Sequence, residues 1–371
     1  MKIVHVSFRR AAPGYSDPQK WIRFLSFFAG VLEYLSQYAE VTAIYHIDYR
    51  GSLSHKGVRY HFPRLREWQL IIPLALNTFI RNQRPDVVVV HGLIFPWQVL
   101  MLRWQLPKSV TIIAQHHSER PLRHIRRYFQ RFADRCIAKY FFASFEFGQQ
   151  WVEEGLIADE NKIREVMVGS SAFPEMPKSD ARRFTGVVGE KVFLWVGRLD
   201  ANKDPVTVVR AFITFAGANP GVRLYMIFQT DDLLDELNHI LSHATHGRTV
   251  VELVGRVEHE HLGYWYNSAD YFLSGSFYEG AGIAVCESMS CGCIPVLTDI
   301  PSFRMMTDRG RLGVLYPAGD QNALLAALKK ATALDIAAER KAVREWFKGE
   351  LSCEAIGDKM ISTINEAKAQ S

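Results

Sequence analysis

Short apolar runs alternate with amphipathic stretches along the chain, and this rhythm does most to narrow the folds open to it. In the first half, residues 2–7, 41–45, 86–91 and 110–115 have the length and composition of strands, with helical periodicity between them. Strands joined by helix-length connections pair in parallel, as in a doubly wound α/β sheet. A second series opens at Lys191, where KVFLWVGRL reads as a buried strand running into a glycine turn, and continues at 223–228, 249–254, 271–274 and 294–298. At 371 residues the chain exceeds one comfortable core, so two α/β domains are expected. Between the series, GSSAFPEMPKSDARRF is rich in Pro, Ser and charge and reads as linker. The expected boundary lies near residue 185, giving domains 1–185 and 186–371. The helices expected over about 335–369 are polar and amphipathic, and the final one is a candidate to pack back on the N-terminal domain.

Apolar residues make up 48% of the chain, enough for two cores. No stretch approaches the roughly 20 apolar residues that span a bilayer, and MKIVHVSF is a strand pattern rather than a signal peptide. A cytoplasmic protein is expected, with peripheral contact at the inner face of the membrane as a further option. Cys136, Cys286, Cys291, Cys293 and Cys353 lack paired CxxC spacing, so neither a disulfide framework nor a bound metal is expected. The net charge of +5 is uneven: residues 1–180 hold 24 Lys and Arg against 16 Asp and Glu, or +8, leaving −3 for the rest. Within RPLRHIRRYFQRFADRCIAKY, Arg120, Arg123, Arg127 and Arg131 recur at helical spacing with aromatic and aliphatic residues between them. The segment from Arg120 to Lys139 suits an anionic membrane surface or a solvated helix face. Phe24, Phe27 and Phe28 belong to that surface or to the core. No nucleic-acid module accompanies the basic face, so nucleic acid is not expected as a partner.

The densest constellation runs from Glu279 to Gly292, EGAGIAVCESMSCG, after the strand-like YFLSGS. Gly280 and Gly282 allow unusual backbone angles and close ligand approach, and a helix starting near Ile283 would aim free N–H groups at an anion such as phosphate. Glu287 is the one charge on this otherwise apolar helix and needs hydrogen-bond donors, for which ligand hydroxyls are candidates. Were the span fully helical, Glu279 and Glu287 would lie roughly 12 Å apart, one serving a sugar and the other a ribose. In VGRLDANKD, Arg198 offers a planar fork and Lys203 a mobile point charge, a pair suited to neutralising a departing diphosphate in place of a metal.

These pieces resemble the family-four glycosyltransferases of the GT-B fold, within glycosyl transferases group 1. The likeness rests on VGRLDANKD, VELVGRVEHEHLGYWYNSAD, the Glu279-x7-Glu287 pair and CGCIPVLTDIPSFRMM, which cover most of residues 191–320 in the family's order. It implies an α/β GT-B fold of two doubly wound Rossmann-like domains facing across a cleft, an acceptor-binding N-terminal one and a donor-binding C-terminal one. It also implies that Arg198 and Lys203 hold the diphosphate, Glu279 contacts the transferred sugar and Glu287 binds the ribose. The backbone of Gly280, Ala281, Gly282 and Ile283 would cradle sugar and phosphate, and the Gly255-Arg256-Val257 turn would edge the base pocket. In the N-terminal half, AQHHSERP resembles the family's strand-then-histidine element, with His117 facing the donor sugar and His116 as the alternative. His91, at a predicted strand end, and Gly14, in FRRAAPGYSD where the family has a glycine pair, are the other acceptor-side candidates.

The implied activity is metal-independent, retaining transfer from a nucleotide sugar, UDP- or GDP-linked, to a saccharide or lipid-linked acceptor. No cofactor is implied, and Glu279, His117, Arg198 and Lys203 are the catalytic candidates. Charge develops on the leaving diphosphate as the glycosidic bond breaks, so donors already aimed at it favour the transition state. A donor phosphate oxygen would accept the acceptor's proton, and domain closure would keep water out. The rivals are a nucleotide-sugar epimerase of the same fold, which needs no acceptor, and a sugar-nucleotide-binding scaffold without turnover.

Overall fold

The apolar runs form two separate sheets in a computed structural model that describes residues 1–12 and 14–370. The first contains β1 (Lys2–Arg10), β2 (Glu40–His46), β3 (Gly51–His55), β4 (Val58–Phe62), β5 (Val87–His91), β6 (Thr111–Gln115), β7 (Lys139–Phe142) and β8 (Ile163–Glu165). Their order is β3-β4-β2-β1-β5-β6-β7-β8, parallel throughout except for the β3–β4 hairpin. The second contains β9 (Lys191–Gly197), β10 (Val222–Phe228), β11 (Val251–Gly255), β12 (Tyr271–Ser274), β13 (Ile294–Thr298) and β14 (Val314–Tyr316). It is all parallel, in the order β11-β10-β9-β12-β13-β14.

Helices cover both faces of such sheets, so central strands read as unbroken apolar runs; Val87, Val88, Val89 and Val90 of β5 are fully buried. The second core gathers Phe193, Trp195, Phe212, Phe215 and Tyr271, with the Phe193 and Tyr271 rings stacked 4.4 Å apart across β9 and β12. In each sheet the chain first builds outward to one side of its opening strand and then returns to build on the other. Strand order therefore reverses between β1 and β5, and again between β9 and β12. At such a point consecutive connections leave on opposite faces, opening a crevice at the strand C-termini.

The chain divides into one unit of Met1–Ser170 with Cys353–Ser371 and another of Ser171–Ser352. The sequence places the boundary near residue 185, about fifteen residues later, because the polar stretch before it looks like linker. Instead, Lys178–Thr185 is a helix of the second unit. Lys178 pairs with the buried Asp270, the Arg182 guanidinium donates to the Ser268 carbonyl at 3.1 Å, and the Met176 amide donates to Asn267 Oδ1 at 3.0 Å. Those partners belong to the helix His259–Ser268 and the residues just after it, so the segment's polar side chains serve as anchors.

The terminal helix Cys353–Ala369 belongs to the first unit and packs on the helix Ser26–Leu35. Contact is close because glycine stands on both sides: a Cβ at Gly30 would lie 2.7 Å from Cys353 Sγ, and one at Gly357 would collide with the Tyr34 ring. The Tyr34 hydroxyl donates to Asp358 at 2.7 Å, and Glu366 pairs with Lys139 of β7 and with Arg164 of β8. Gly357→Val should cost about 1–3 kcal/mol by overpacking this seam, read as a lowered thermal midpoint of the full chain. An unchanged midpoint would mean the helix docks loosely.

Three imidazoles in this unit are buried: His5 in β1, His46 at the end of β2, and His116 just after β6. Burial lowers His5 to about 3 and His46 and His116 to about 4. The unfolded chain takes up these protons near its ordinary histidine range, about 6.5, while the folded chain refuses them. Their contribution is complete above about pH 6.5 and is lost as pH falls through that value, by up to about 1.4 kcal/mol per unit for each imidazole. Denaturant unfolding followed between about pH 7 and pH 5 should show this decline, and a flat profile would contradict it.

Candidate active site

β9 ends at Gly197, so Arg198 is the first side chain beyond it, beside the strand-order reversal. Asp200 shapes the following loop, accepting the Lys203 backbone N–H at 3.1 Å and the Arg198 guanidinium at 2.9 Å. This loop is tied to the one after β12: the Asn202 amide donates to the Tyr278 carbonyl at 2.9 Å, and the Phe277 N–H donates to the Asn202 carbonyl at 2.8 Å. The Lys203 ammonium pairs with the Glu279 carboxylate, which also accepts the Ser276 hydroxyl at 2.8 Å. Arg198 and Lys203 share a pocket of about 370 Å³ with Val257 and Ala284.

Ala284 is the second residue of the helix Ile283–Ser290, which begins at Gly282 with no side-chain cap. Gly282 has φ 55°, and a Cβ there would lie 3.0 Å from the Phe303 ring, so the position is reserved for glycine twice over. The first amide N–H groups of an uncapped helix are open to an anion, and the helix dipole favours one. Glu279, Gly280 and Ala281 precede the helix as loop, so the 12 Å separation expected for a helical span does not apply. Gly255 ends β11 with φ 83°, Arg256 is exposed, and of that turn Val257 reaches the pocket.

Glu287 is buried, but its donors are internal: one oxygen is hydrogen-bonded to His259 Nε2 at 2.7 Å and the other accepts the Tyr266 hydroxyl at 2.9 Å. The donors that a buried carboxylate needs are thus supplied here by the chain itself. The hydrogen bond to Glu287 holds the half-exposed His259 above the ordinary imidazole range.

A second pocket, of about 710 Å³, lies in the first unit at the reversal between β1 and β5. Its edge is a chain of imidazoles: His5 Nδ1 to His91 Nε2 at 2.9 Å, and His91 Nδ1 to His117 Nε2 at 2.9 Å. Glu119 accepts the His117 N–H at 2.6 Å and the Leu93 N–H at 3.2 Å, joining the loops after β5 and β6. Trp21, Phe24, Phe28, Tyr45 and Phe95 supply aromatic wall, and Arg9 and Arg10 add cations. Within WIRFLSFFAG, Phe24 is exposed, Phe28 is buried against His5 and His91, and Phe27 lines the same pocket.

The structure separates the two adjacent histidines. His117 lines the pocket, whereas His116 lies among Phe142, Phe147 and Trp151 with Nε2 on the Glu119 carbonyl at 2.8 Å, a core residue rather than an acceptor-side one. Gly14 has φ 102° and donates to Asp48 at 3.3 Å; the lining passes through Ala12 and Tyr15 beside it. His5 and Glu119 are additions. The signal for His5 was a lone polar side chain inside the apolar KIVHV strand, and for Glu119 a carboxylate two residues past His117.

Residues 178–345 match the family model for glycosyl transferases group 1. A GDP-mannose:cellobiosyl-diphosphopolyprenol alpha-mannosyltransferase of Xanthomonas oryzae pv. oryzae is 25% identical over 251 residues, covering 66% of this chain and 63% of that relative. The chain thus spans less than two thirds of that relative's length. Among solved structures, sucrose-phosphate synthase from Thermosynechococcus elongatus superposes with a TM-score of 0.72 at 18% identity, covering 100% of this chain and 99% of that one. Anabaena HepE in complex with UDP superposes with a TM-score of 0.73 at 13% identity, covering 99% of this chain and 100% of that one. In fold the chain is a GT-B protein of two Rossmann-like α/β units, and it resembles the group 1 glycosyl transferases through a match confined to its second unit.

Proposed function

We propose that the chain is a metal-independent, retaining glycosyltransferase of family four, which moves a sugar from a UDP- or GDP-linked donor to a saccharide or lipid-linked acceptor in glycoconjugate synthesis. The observation that carries this is the meeting of Arg198, Lys203 and the start of an uncapped helix around one pocket at the β9–β12 reversal. A diphosphate there would meet a guanidinium fork, an ammonium and backbone N–H groups, the donor set that stabilises charge developing on a leaving diphosphate. Both cations are held by carboxylates, Arg198 by Asp200 and Lys203 by Glu279, so they stay in place until a more highly charged anion competes for them.

Glu279 links the two halves of the chemistry. Freed as Lys203 turns to phosphate, its carboxylate would take hydroxyls of the transferred sugar. Glu287, anchored by His259 and Tyr266, would present its remaining lone pairs to the ribose, and the turn Gly255-Arg256-Val257 would border the base. The first unit would bind the acceptor in the aromatic pocket edged by His91 and His117, and its cationic segment between Arg120 and Lys139 fits peripheral contact with an anionic membrane. The similar relative named for a diphosphopolyprenol-linked acceptor is consistent with both.

Lys203→Ala should weaken UDP or GDP binding about ten- to a hundredfold in titration calorimetry, the loss expected for a charge-assisted contact. Glu279→Ala should leave nucleotide affinity equal or slightly tighter, since Lys203 is released, while abolishing sugar transfer. Unchanged affinity in Lys203→Ala would remove the diphosphate assignment. An altered sugar released with free nucleotide in the absence of acceptor would replace the transferase reading with an epimerase.

A further inference from the structure

The helix Ile125–Asp134 is built inside out. Its inward side carries polar Gln130 and Asp134: Gln130 donates to the Tyr140 hydroxyl at 3.2 Å, Tyr140 donates to Asp134 at 3.0 Å, and Lys162 pairs with Asp134 at 3.1 Å. Its outward stripe, at helical spacing, is Ile125, Tyr128 and Phe132, with Ile125 65% exposed. A helix that only has to cover a core shows the opposite pattern, apolar in and polar out.

The neighbouring helix Pro96–Gln105 makes an independent case. Val99 and Leu102 face inward, while Trp97 and Trp104, seven residues apart and hence on one stripe, face out; Trp104 is 79% exposed. The Trp97 and Phe129 rings meet edge to face at 5.4 Å, which joins the two stripes into one surface. Contiguous apolar patches of this kind are rare on monomers and mark an interaction site.

Charge names the partner. Residues 64–139 contain 13 Lys and Arg against 4 Asp and Glu, an excess of 9 that is larger than the +5 of the whole chain. Arg123, Arg126 and Arg135 are exposed beside the stripe, and the Arg135 guanidinium stands 5.3 Å from the Phe132 ring centre. Among the described residues no helix is long and apolar enough to cross a membrane. Aromatic and aliphatic side chains ringed by arginine on helices that lie flat are suited to the headgroup region of an anionic bilayer, where the rings enter the interface and the arginines meet lipid phosphate.

We propose that the outward stripes of helices Pro96–Gln105 and Ile125–Asp134 form a docking face for an anionic phospholipid bilayer. This refines, and rests on, the reading of a transferase that meets its acceptor at a membrane. The test uses the full chain in cosedimentation with vesicles of phosphatidylglycerol and phosphatidylcholine, with pure phosphatidylcholine as comparison. Binding should require the anionic lipid and weaken with salt. Trp104→Ser with Phe132→Ser should lower it at least about tenfold. Arg123→Ser and Arg126→Ser should each lower it about fivefold. All of these variants should keep the wild-type thermal shift with UDP or GDP, which excludes misfolding as the cause. If no nucleotide binds the wild type while vesicles do, the transferase reading fails and the docking face stands. Equal binding to both lipid mixtures, no binding to either, or undiminished binding by the double variant would overturn the docking face. So would a dimer in sedimentation equilibrium that the same substitutions dissolve, since the stripe would then belong to a second copy.

Discussion

Everything at the donor pocket depends on two loops that the sheet is obliged to place side by side. Because β9 and β12 are hydrogen-bonded neighbours running parallel, the residues leaving their C-termini emerge together although more than seventy positions separate them in sequence. The two bonds between Asn202 and the Phe277–Tyr278 backbone then hold these loops at fixed separation. Asn202 is neither a cation nor a carboxylate, and nothing about its own chemistry singles it out. It sets the spacing of Arg198, Lys203 and Glu279 nonetheless.

That placement explains a pattern that looks wasteful in isolation. Four charges, Arg198, Asp200, Lys203 and Glu279, pair off beside a pocket that has nothing to do with holding the core together. The exposed Arg198–Asp200 pair contributes little to stability, about 0–1 kcal/mol, and the partly buried Lys203–Glu279 pair offsets its own desolvation, so both are better understood as preorganisation. Each cation is kept in place by a carboxylate that a diphosphate, carrying more charge on more oxygens, can displace at small reorganisation cost. The uncapped start at Gly282 follows the same logic, since a Ser or Asp cap would stabilise the helix and occupy the amides an anion would use.

Much of this was legible in the sequence, for physical reasons that also show where reading stops. Strands such as 271–274 and 294–298 stand out because burial on both faces makes them apolar up to a terminal Ser274 or Thr298. β8 and β14 are three-residue edge strands, too short to show a period, and the β3–β4 hairpin GSLSHKGVRYHF is polar on its exposed positions. The boundary was displaced because a polar segment that is anchored and one that is free have the same composition; Lys178 and Arg182 became informative once Asp270 and Ser268 were in place. Glu287 illustrates the same limit. A lone carboxylate on an apolar helix announces that it needs donors, but His259 and Tyr266, twenty-eight and twenty-one residues upstream, come into reach through tertiary packing alone.

The imidazole chain of the first unit shows how far geometry extends such a reading. His5 Nε2 is buried and has no hydrogen-bond partner among the described residues. A buried N–H left unpaired is rarer in proteins than an unpaired acceptor, so the lower-energy tautomer carries its proton on Nδ1 and donates to His91. His91, accepting at Nε2, must then hold its proton on Nδ1 and donate to His117 Nε2. Neutral His117, accepting at Nε2, is left with its proton on Nδ1 as a donor. An orphaned nitrogen in the middle of β1 thereby assigns hydrogen-bond polarity to a side chain on the pocket wall two strands away, which suits that wall to an acceptor oxygen, such as a hydroxyl or carbonyl, rather than to another cation.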